Sequence, residues 1–150
     1  MEWLSLNNGQ ECPLHEDFLT DAFGFVYMIT NLETGKFYIG KKALTHNKKK
    51  KLTKKELAQF TGQGRKPIFR IDQVDSGWRD YYGSSKELVE DVKKYGKDKF
   101  KRVILAFLSD KKTLTFAEVR FQILYDVLFK DTYNDNILGK FYRRDFVPQK

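Results

Sequence analysis

Cysteine, histidine and proline are scarce in this chain of 150 residues, which contains one, two and three of them respectively. The one cysteine, Cys12, cannot form an internal disulfide. One cysteine and two histidines also offer no Cys/His cluster for a zinc site. These scarcities predict a fold without covalent or structural-zinc cross-links, in a reducing, cytoplasmic compartment.

Long hydrophobic runs are absent as well. The longest charge-free apolar stretch, residues 22–32, is shorter than the roughly 18–20 residues that a membrane helix needs. Residues 1–12 lack the basic start and the apolar core of a signal peptide. What the chain does have is 15% aromatic and 41% hydrophobic residues, which is typical of a folded protein. We expect one domain over residues 1–150 and no membrane partner.

Basic charge is concentrated in the middle of the chain. Residues 1–40 carry a net charge of −5, residues 41–79 carry +9 and residues 80–150 carry +4, for a total of +8. Residues 41–79 are predicted to be a basic insertion that binds a polyanion, because each neutralised phosphate releases condensed counterions. The candidate nucleic-acid-binding residues are Lys42, Lys48, Lys49, Lys50, Lys51, Arg65, Lys66 and Arg70. A solvated lysine-rich loop is the alternative.

A β-hairpin is predicted between residues 25 and 39. Two short runs of β-branched and aromatic residues are separated by a loop in which Gly35 can adopt the left-handed backbone of a turn. Side chains alternate along a strand, so Tyr27 on the first strand and Tyr38 on the second can project from one face. Gly40 shares that face with Tyr38 and would let a backbone or a phosphate approach closely.

Two further elements follow the basic insertion. Ser84 and Glu87 have capping-box spacing and are predicted to open a helix that runs to about Tyr95. Residues 100–108 contain an uninterrupted apolar run, which predicts a buried, central third strand.

Residues 114–130 show the strongest helical pattern, with a broad apolar face. Thr115 and Glu118 lie three residues apart, so Glu118 could be no more than the far end of a capping box. Residues 1–22 are interpreted as an N-terminal arm and residues 131–150 as a C-terminal strap. The predicted fold is α+β: a small three-stranded, mostly antiparallel sheet flanked by helices.

Two short strings carry a resemblance to a known family. Phe25-Val26-Tyr27, ten further residues and then Tyr38-Ile39-Gly40 resemble the signature of the GIY-YIG nuclease family, with Phe25 and Val26 in place of its first glycine and isoleucine. The later features of the chain also follow the family's order. They are small residues before a helix, a third strand, a helix with one glutamate and a late asparagine. The resemblance spans about residues 23–137.

The resemblance implies roles for five residues. Tyr27 and Tyr38 would be the paired active-site tyrosines, one of which activates the attacking water. Lys41 would match the family's lysine beside that pair. Glu118 would hold a divalent cation, and Asn134 would support the site. The residue types suit the chemistry, because a phenol with a pKa of about 10 needs a nearby cation to favour its phenolate.

The family's arginine has no clear counterpart, because the lysine-rich insertion occupies its place. Arg79 is the preferred candidate, with Arg70 and Arg65 behind it. The resemblance implies a metal-dependent DNA endonuclease of the free-standing phage or homing kind, in a bacterial or phage-infected cell. One carboxylate ligand suits Mg²⁺, or Mn²⁺, better than zinc.

Three other functions fit the same residues. One is a structure-selective repair nuclease that recognises junctions or flaps. Another is a nucleic-acid-binding module without activity, and the third is a basic protein that docks an acidic partner. The recognition site, the type of cut, the oligomeric state and the tyrosine that acts as base stay open at this point.

Overall fold

The computed structural model describes residues 2–60, 62, 64 and 68–146 of the chain. The strands of this part are β1 (Trp3–Asn7), β2 (Gln10–Pro13), β3 (Gly24–Asn31), β4 (Phe37–Ala43), β5 (Thr45–Lys51), β6 (Phe69–Asp75), β7 (Phe100–Leu108), β8 (Asn136–Ile137) and β9 (Phe141–Tyr142). The α-helices are α1 (Lys54–Ala58), α2 (Lys86–Tyr95), α3 (Lys111–Leu124) and α4 (Arg143–Phe146). Short 3-10 helices span Glu16–Leu19, Trp78–Asp80 and Lys97–Lys99. None of the helices in the described residues is long and apolar enough to cross a membrane.

The main sheet has five strands in the order β2-β1-β7-β3-β4. Strand β1 runs parallel to β7, and the other neighbours are antiparallel. The α+β class is confirmed, and β7 is the central strand that the sequence predicts. The predicted number of three strands is wrong, because the chain before residue 22 adds two more.

The N-terminal segment, interpreted from the sequence as an arm, adds strands to the main sheet. Trp3 is buried on β1, and its indole Nε1 donates a hydrogen bond to the Trp78 carbonyl at 3.0 Å. Its ring packs edge-on against Phe25, with ring centroids 5.1 Å apart. Burying an indole with its N–H satisfied is strongly favourable, and this anchors β1 beside β7.

The tyrosine hairpin forms as predicted. Strands β3 and β4 pair antiparallel, with Tyr27 opposite Gly40 and Ile29 opposite Tyr38. Gly35 has φ of +79°, the left-handed turn conformation, and its N–H donates to the Asn31 carbonyl at 2.7 Å.

The sheet has two differently packed faces. Phe25 and Tyr27 lie on the α2 face, where they share a core with Trp78 and with Leu88 of α2. Val26, Ile39 and residues of α3 form the core of the α3 face. Alternation along each strand produces this division, so the two active-site candidates Tyr27 and Tyr38 belong to the α2 face.

The helix caps differ in part from the predicted ones. Helix α2 is capped by Ser85, whose Oγ accepts from the Leu88 N–H, and not by Ser84. Helix α3 begins at Lys111 and is capped by Asp110, so residues 125–130 lie beyond its end. Glu118 is therefore two turns inside the helix, and its interpretation as the end of a capping box is wrong.

Residues 41–79 hold a regular element. Strands β5 and β6 pair antiparallel into a separate two-stranded ribbon, and α1 lies between them in the chain. Thr53 and Glu56 form a complete capping box at the start of α1, as their spacing indicates.

In the C-terminal segment, β8 pairs with β9, and the Arg143 guanidinium donates to the Val127 and Lys130 carbonyls, both at 2.7 Å.

Candidate active site

A cleft of about 560 Å³ opens beside the outer edge of β4. Tyr38, Glu118 and Asn134 are the sequence-predicted site residues that line it. Each comes from a different element: β4, α3 and the segment before β8. The other lining residues are Ser84, Ser85, Lys86, Glu87, Gln122, Tyr133, Asp135, Asn136, Leu138 and Gly139. Three residues that are 16 to 96 positions apart in sequence thus meet around one cleft.

Of the two predicted active-site tyrosines, Tyr38 is the one that reaches the cleft. Its phenol oxygen lies 3.1 Å from Ser84 Oγ, on the loop that leads into α2. Burial raises the pKa of Tyr38 above its usual value; the Ser84 hydrogen bond opposes this, and the Tyr81 and Glu118 charges add to it. Tyr38 is therefore a neutral phenol at neutral pH, able both to donate and to accept a hydrogen bond.

Tyr27 lies behind Tyr38, with ring centroids 6.1 Å apart. It is completely buried, and its phenol oxygen has no hydrogen-bond partner among the described residues. Burial raises the pKa of Tyr27 well above its usual value, and the nearby Tyr38 and Tyr81 phenols raise it further. The two tyrosines are thus neighbours on one face, as predicted, but only Tyr38 borders the cleft.

Gly40 makes room for both rings. A Cβ at this position would lie 2.6 Å from Tyr27 Oη and 2.8 Å from a ring carbon of Tyr38. The groups that approach Gly40 closely are therefore the Tyr27 and Tyr38 phenols of the protein itself, which fill the space that a side chain at Gly40 would occupy.

Asn134 binds the outer edge of β4. Its Oδ1 accepts from the Ile39 N–H at 3.0 Å, and its Nδ2 donates to the Ile39 carbonyl at 2.9 Å. The Ile39 carbonyl also accepts from Gln122 Nε2 at 3.0 Å. Because β4 is an edge strand, this amide takes the place of a neighbouring strand and satisfies buried backbone groups. Asn134 thereby fixes the strand that carries Tyr38.

Glu118 faces the same edge from α3. Burial raises the pKa of Glu118 above its usual value, while the Lys41 charge and backbone N–H lower it. Gln122 lies one helical turn later, and its Oε1 is a buried acceptor with no donor in the described part of the chain. One carboxylate and one unpaired amide oxygen are the hard oxygen donors that Mg²⁺ accepts, with water in its remaining positions.

The donor set also limits the kind of metal site. Residues 2–60, 62, 64 and 68–146 contain no group of three or more His, Cys, Asp or Glu side chains that could hold a metal ion. A fully protein-coordinated zinc or calcium site needs more ligands than this. The residues fit a cation that keeps most of its water.

The raised pKa of Glu118 predicts an effect on stability when no metal is present. The folded state holds the Glu118 proton more tightly than the unfolded state, so protonation of Glu118 stabilises the fold. This contribution to the free energy of unfolding is complete below the unfolded pKa and is lost as pH rises through the folded pKa. In EDTA, the melting temperature of Glu118→Gln should therefore exceed that of the native protein by more at pH 8 than at pH 4.5. Thermal melts followed by circular dichroism measure this.

Glu90→Gln is the matched control, because Glu90 lies exposed on α2. The change in this difference in melting temperature between pH 4.5 and pH 8 should be larger for Glu118→Gln than for the exposed control. A Glu118→Gln difference from the native protein that stays constant between pH 4.5 and pH 8 would contradict a desolvated carboxyl at this position.

Two further predicted catalytic residues do not line the cleft. Lys41 is three residues after Tyr38, which places it on the α3 face, where its Nζ donates to Thr115 Oγ1 at 2.8 Å. It is near Glu118 and not beside the tyrosine pair. Arg79 pairs with the Glu16 carboxylate through two hydrogen bonds of 3.0 and 3.2 Å and lines a different cavity.

The basic candidates of residues 41–79 are spread over several surroundings. Lys42 Nζ lies 4.2 Å from the centre of the Tyr81 ring, on the main sheet. Arg70 is paired with Glu56 and Asp72. Lys48, Lys49, Lys50 and Lys51 lie exposed on β5. Arg65 and Lys66 are outside the described residues.

The sequence interpretation missed Lys86 and Gln122, both of which line the cleft. Lys86 is the first residue of α2, and no ion pair joins it to an acidic side chain in the described part of the chain. The i, i+4 spacing of Glu118 and Gln122 on one helix could have indicated Gln122. Lys86 is one of many lysines, and nothing local distinguishes it.

Comparison with protein families gives one decisive finding. The family model described as the GIY-YIG domain of the putative endonuclease segE matches residues 8–143. The chain belongs to the GIY-YIG endonuclease family. Comparisons with curated proteins and with solved structures give no match.

Membership supplies the general class of activity. A GIY-YIG domain is an endonuclease domain, a hydrolase that acts on DNA, and nucleases of this family generally use divalent metal ions. The match begins at residue 8, directly after β1, and ends at the first residue of α4. It therefore includes the tyrosine hairpin, the ribbon and every residue that lines the cleft.

Proposed function

We propose that this GIY-YIG protein is a metal-dependent DNA endonuclease whose active site is the cleft beside β4. The observation that carries the proposal is the meeting of Tyr38, Glu118 and Asn134 in that cleft. In this proposal residues 1–150 act as one nuclease domain, and residues 41–79 supply DNA affinity.

Glu118 is proposed to hold one Mg²⁺ or Mn²⁺, with Gln122 Oε1 as the adjoining acceptor. The bound cation supplies Lewis-acid stabilisation of the charge that develops on the phosphoryl and leaving oxygens. Ionised Glu118 is needed for this, and its raised pKa means that metal affinity falls as pH decreases through that pKa. Cleavage at fixed metal concentration should therefore weaken on the acid side of neutrality.

Tyr38 is proposed to contact the attacking water. Its phenol borders the cleft, and the hydrogen bond with Ser84 fixes its orientation. Because its pKa is raised, Tyr38 acts as a neutral phenol that orients the water. Only its phenolate could take the proton of the water, and that form would need positive charge nearby. Tyr27 is proposed to pack behind Tyr38 and set its position, since Tyr27 is fully buried.

Lys86 is proposed to take the phosphate-binding role that the sequence assigned to Arg79. It lines the cleft at the N-terminus of α2, where the helix dipole favours an anion. Arg79 would first have to break its bidentate pair with Glu16. A lysine contributes a point charge and not the two-pronged geometry of arginine.

Cleavage of four substrates by the native protein tests the proposal. Supercoiled plasmid, linear duplex, a branched junction and single-stranded RNA are each incubated with Mg²⁺, with Mn²⁺ and with EDTA. We expect nicked or linear plasmid and cut duplex with either metal, and none with EDTA. Exclusive cutting of the junction would favour a structure-selective nuclease, and binding without any cutting would favour an inactive module.

A further inference from the structure

The ribbon of β5 and β6 has two unlike sides. Cross-strand pairs place Asn47 opposite Gln73, Lys49 opposite Ile71 and Lys51 opposite Phe69. Because side chains alternate along each strand, these three pairs lie on one side, named here the open side. The pairs between them, Lys48 with Asp72 and Lys50 with Arg70, lie on the opposite side, named the α1 side.

Acidic residues neutralise part of the α1 side. Arg70 forms ion pairs with Glu56 of α1 at 2.6 Å and with Asp72 at 3.3 Å. Asp72 lies directly opposite Lys48, and opposite charges in this arrangement attract each other. Of the three basic residues on the α1 side, Arg70 has internal partners, whereas Lys48 and Lys50 form no ion pair in the described part of the chain.

The open side has cationic and apolar groups without such partners. Ile71 is 70% exposed and Phe69 is 45% exposed, although both lie on a strand. Lys49 Nζ lies 4.3 Å from the centre of the Phe69 ring, and no described ion pair involves Lys49 or Lys51. Exposed apolar side chains rimmed by unpaired lysines are typical of a binding surface. A two-stranded ribbon is also marginally stable alone.

We propose that the open side of this ribbon inserts into the major groove of duplex DNA. The groove is about 12 Å wide and admits a two-stranded β-ribbon. Lys49 and Lys51 would bind phosphates, Asn47 would pair with an adenine edge, and Ile71 would contact a thymine methyl group. The ribbon therefore selects A·T pairs. This inference rests on the proposed DNA substrate and adds the element that reads sequence.

The base of the ribbon is fixed to the main sheet. The Leu44 N–H donates to the Phe23 carbonyl and the Ser76 N–H to the Leu44 carbonyl, both at 3.0 Å. Lys49 lies eleven positions after Tyr38, which is at most about 37 Å when the chain is extended. One turn of DNA is about 34 Å, so the contacted base pairs lie within about one turn of the cut.

Two matched double variants test which side binds. K49A/K51A changes the open side and K48A/K50A the α1 side, with the same loss of charge on the same strand. Binding to a pool of random 30-base-pair duplexes is measured in EDTA over a range of salt concentrations. We expect K49A/K51A to bind at least 10-fold more weakly and to lower the log–log salt slope by about 1.8, and K48A/K50A to change affinity less than 3-fold.

Sequencing of the bound duplexes tests the base contacts. The native protein should enrich A·T pairs at fixed spacing, and N47A/I71S should lose this enrichment while keeping its affinity within about 3-fold. Melting curves of every variant check that the fold is retained. Three results would each overturn the proposal. They are an equal loss of DNA affinity in K49A/K51A and K48A/K50A, a bound pool without enrichment, and equal binding to duplex RNA, whose major groove is too narrow for the ribbon.

Cleavage separates this inference from the proposed function. If the ribbon does not read DNA but the chain is a nuclease, native protein and K49A/K51A will cut plasmid equally. If the chain is not a nuclease, no variant will cut, yet the EDTA binding data will still show whether the open side contacts the groove.

Discussion

Tyr38→Phe is expected to slow metal-dependent cleavage of DNA by about 10²–10³-fold, the usual effect of losing one positioned acid–base or hydrogen-bonding group. The ring remains in place beside Tyr27, and only the hydroxyl at the cleft is lost. The lost hydrogen bond to Ser84 is exposed, so stability should change by no more than about 1 kcal/mol. Single-turnover cleavage and thermal melts measure the two effects.

Tyr27→Phe is the matched control. It removes a buried hydroxyl without a partner in the described chain, so stability should stay equal or rise. Its rate loss should be at least about tenfold smaller than that of Tyr38→Phe, because Tyr27 does not border the cleft. A larger loss for Tyr27→Phe would mean that Tyr27, and not Tyr38, contacts the attacking water.

Gly40→Ala is expected to reduce cleavage by about 10²-fold or more. The added Cβ would lie 2.6 Å from Tyr27 Oη and 2.8 Å from the Tyr38 ring, so at least one phenol must move. A displacement of about 1 Å in an active site can cost about 10²-fold in rate. Overpacking of this kind also costs about 1–3 kcal/mol of stability. Cleavage rates and chemical denaturation test both effects.

Gly35→Ala separates strain from steric displacement. Gly35 has φ of +79°, and nothing lies within 4 Å of a Cβ there. The variant should lose about 1 kcal/mol through backbone strain and keep its cleavage rate under conditions where it is folded. If Gly35→Ala and Gly40→Ala lose activity equally, the effect comes from the hairpin as a whole and not from the phenols at Gly40.

Local patterns were sufficient to predict the hairpin and the central strand. Gly35 between two β-branched and aromatic runs predicts the turn, and alternation places Tyr27 and Tyr38 on one face. The apolar run of residues 100–108 predicts a strand covered on both faces, and the structure confirms that β7 is central. These predictions need only residues close in sequence.

The N-terminal strands depend on distant contacts. Strand β1 pairs in parallel with β7, about 100 residues away, and Trp3 is held by the Trp78 carbonyl. Residues 1–21 show little periodicity of their own, because β2 lies at the sheet edge with largely exposed side chains. Tertiary packing therefore decides their structure, and local propensity does not.

Lys41 and Arg79 lie away from the tyrosine pair for different reasons. An odd spacing from Tyr38 already places Lys41 on the opposite face of β4, so alternation could have predicted its location on the α3 side. Arg79 pairs with Glu16, which is 63 residues away, and no local pattern indicates that ion pair. Ser85 caps α2 one residue later than expected, which makes Lys86 the first residue of the helix.

The central claim is that Glu118 makes the cleft beside β4 a metal-dependent nuclease centre. The most direct test is the cleavage rate of supercoiled plasmid over a range of Mg²⁺ concentrations for the native protein, Glu118→Gln and the exposed control Glu90→Gln. We predict metal-dependent nicking or cutting by the native protein and by Glu90→Gln, and a loss of about 10³-fold or more for Glu118→Gln, since the substitution removes the only carboxylate proposed to bind the cation. Cleavage by Glu118→Gln at the native rate, with the same Mg²⁺ dependence, would contradict the account.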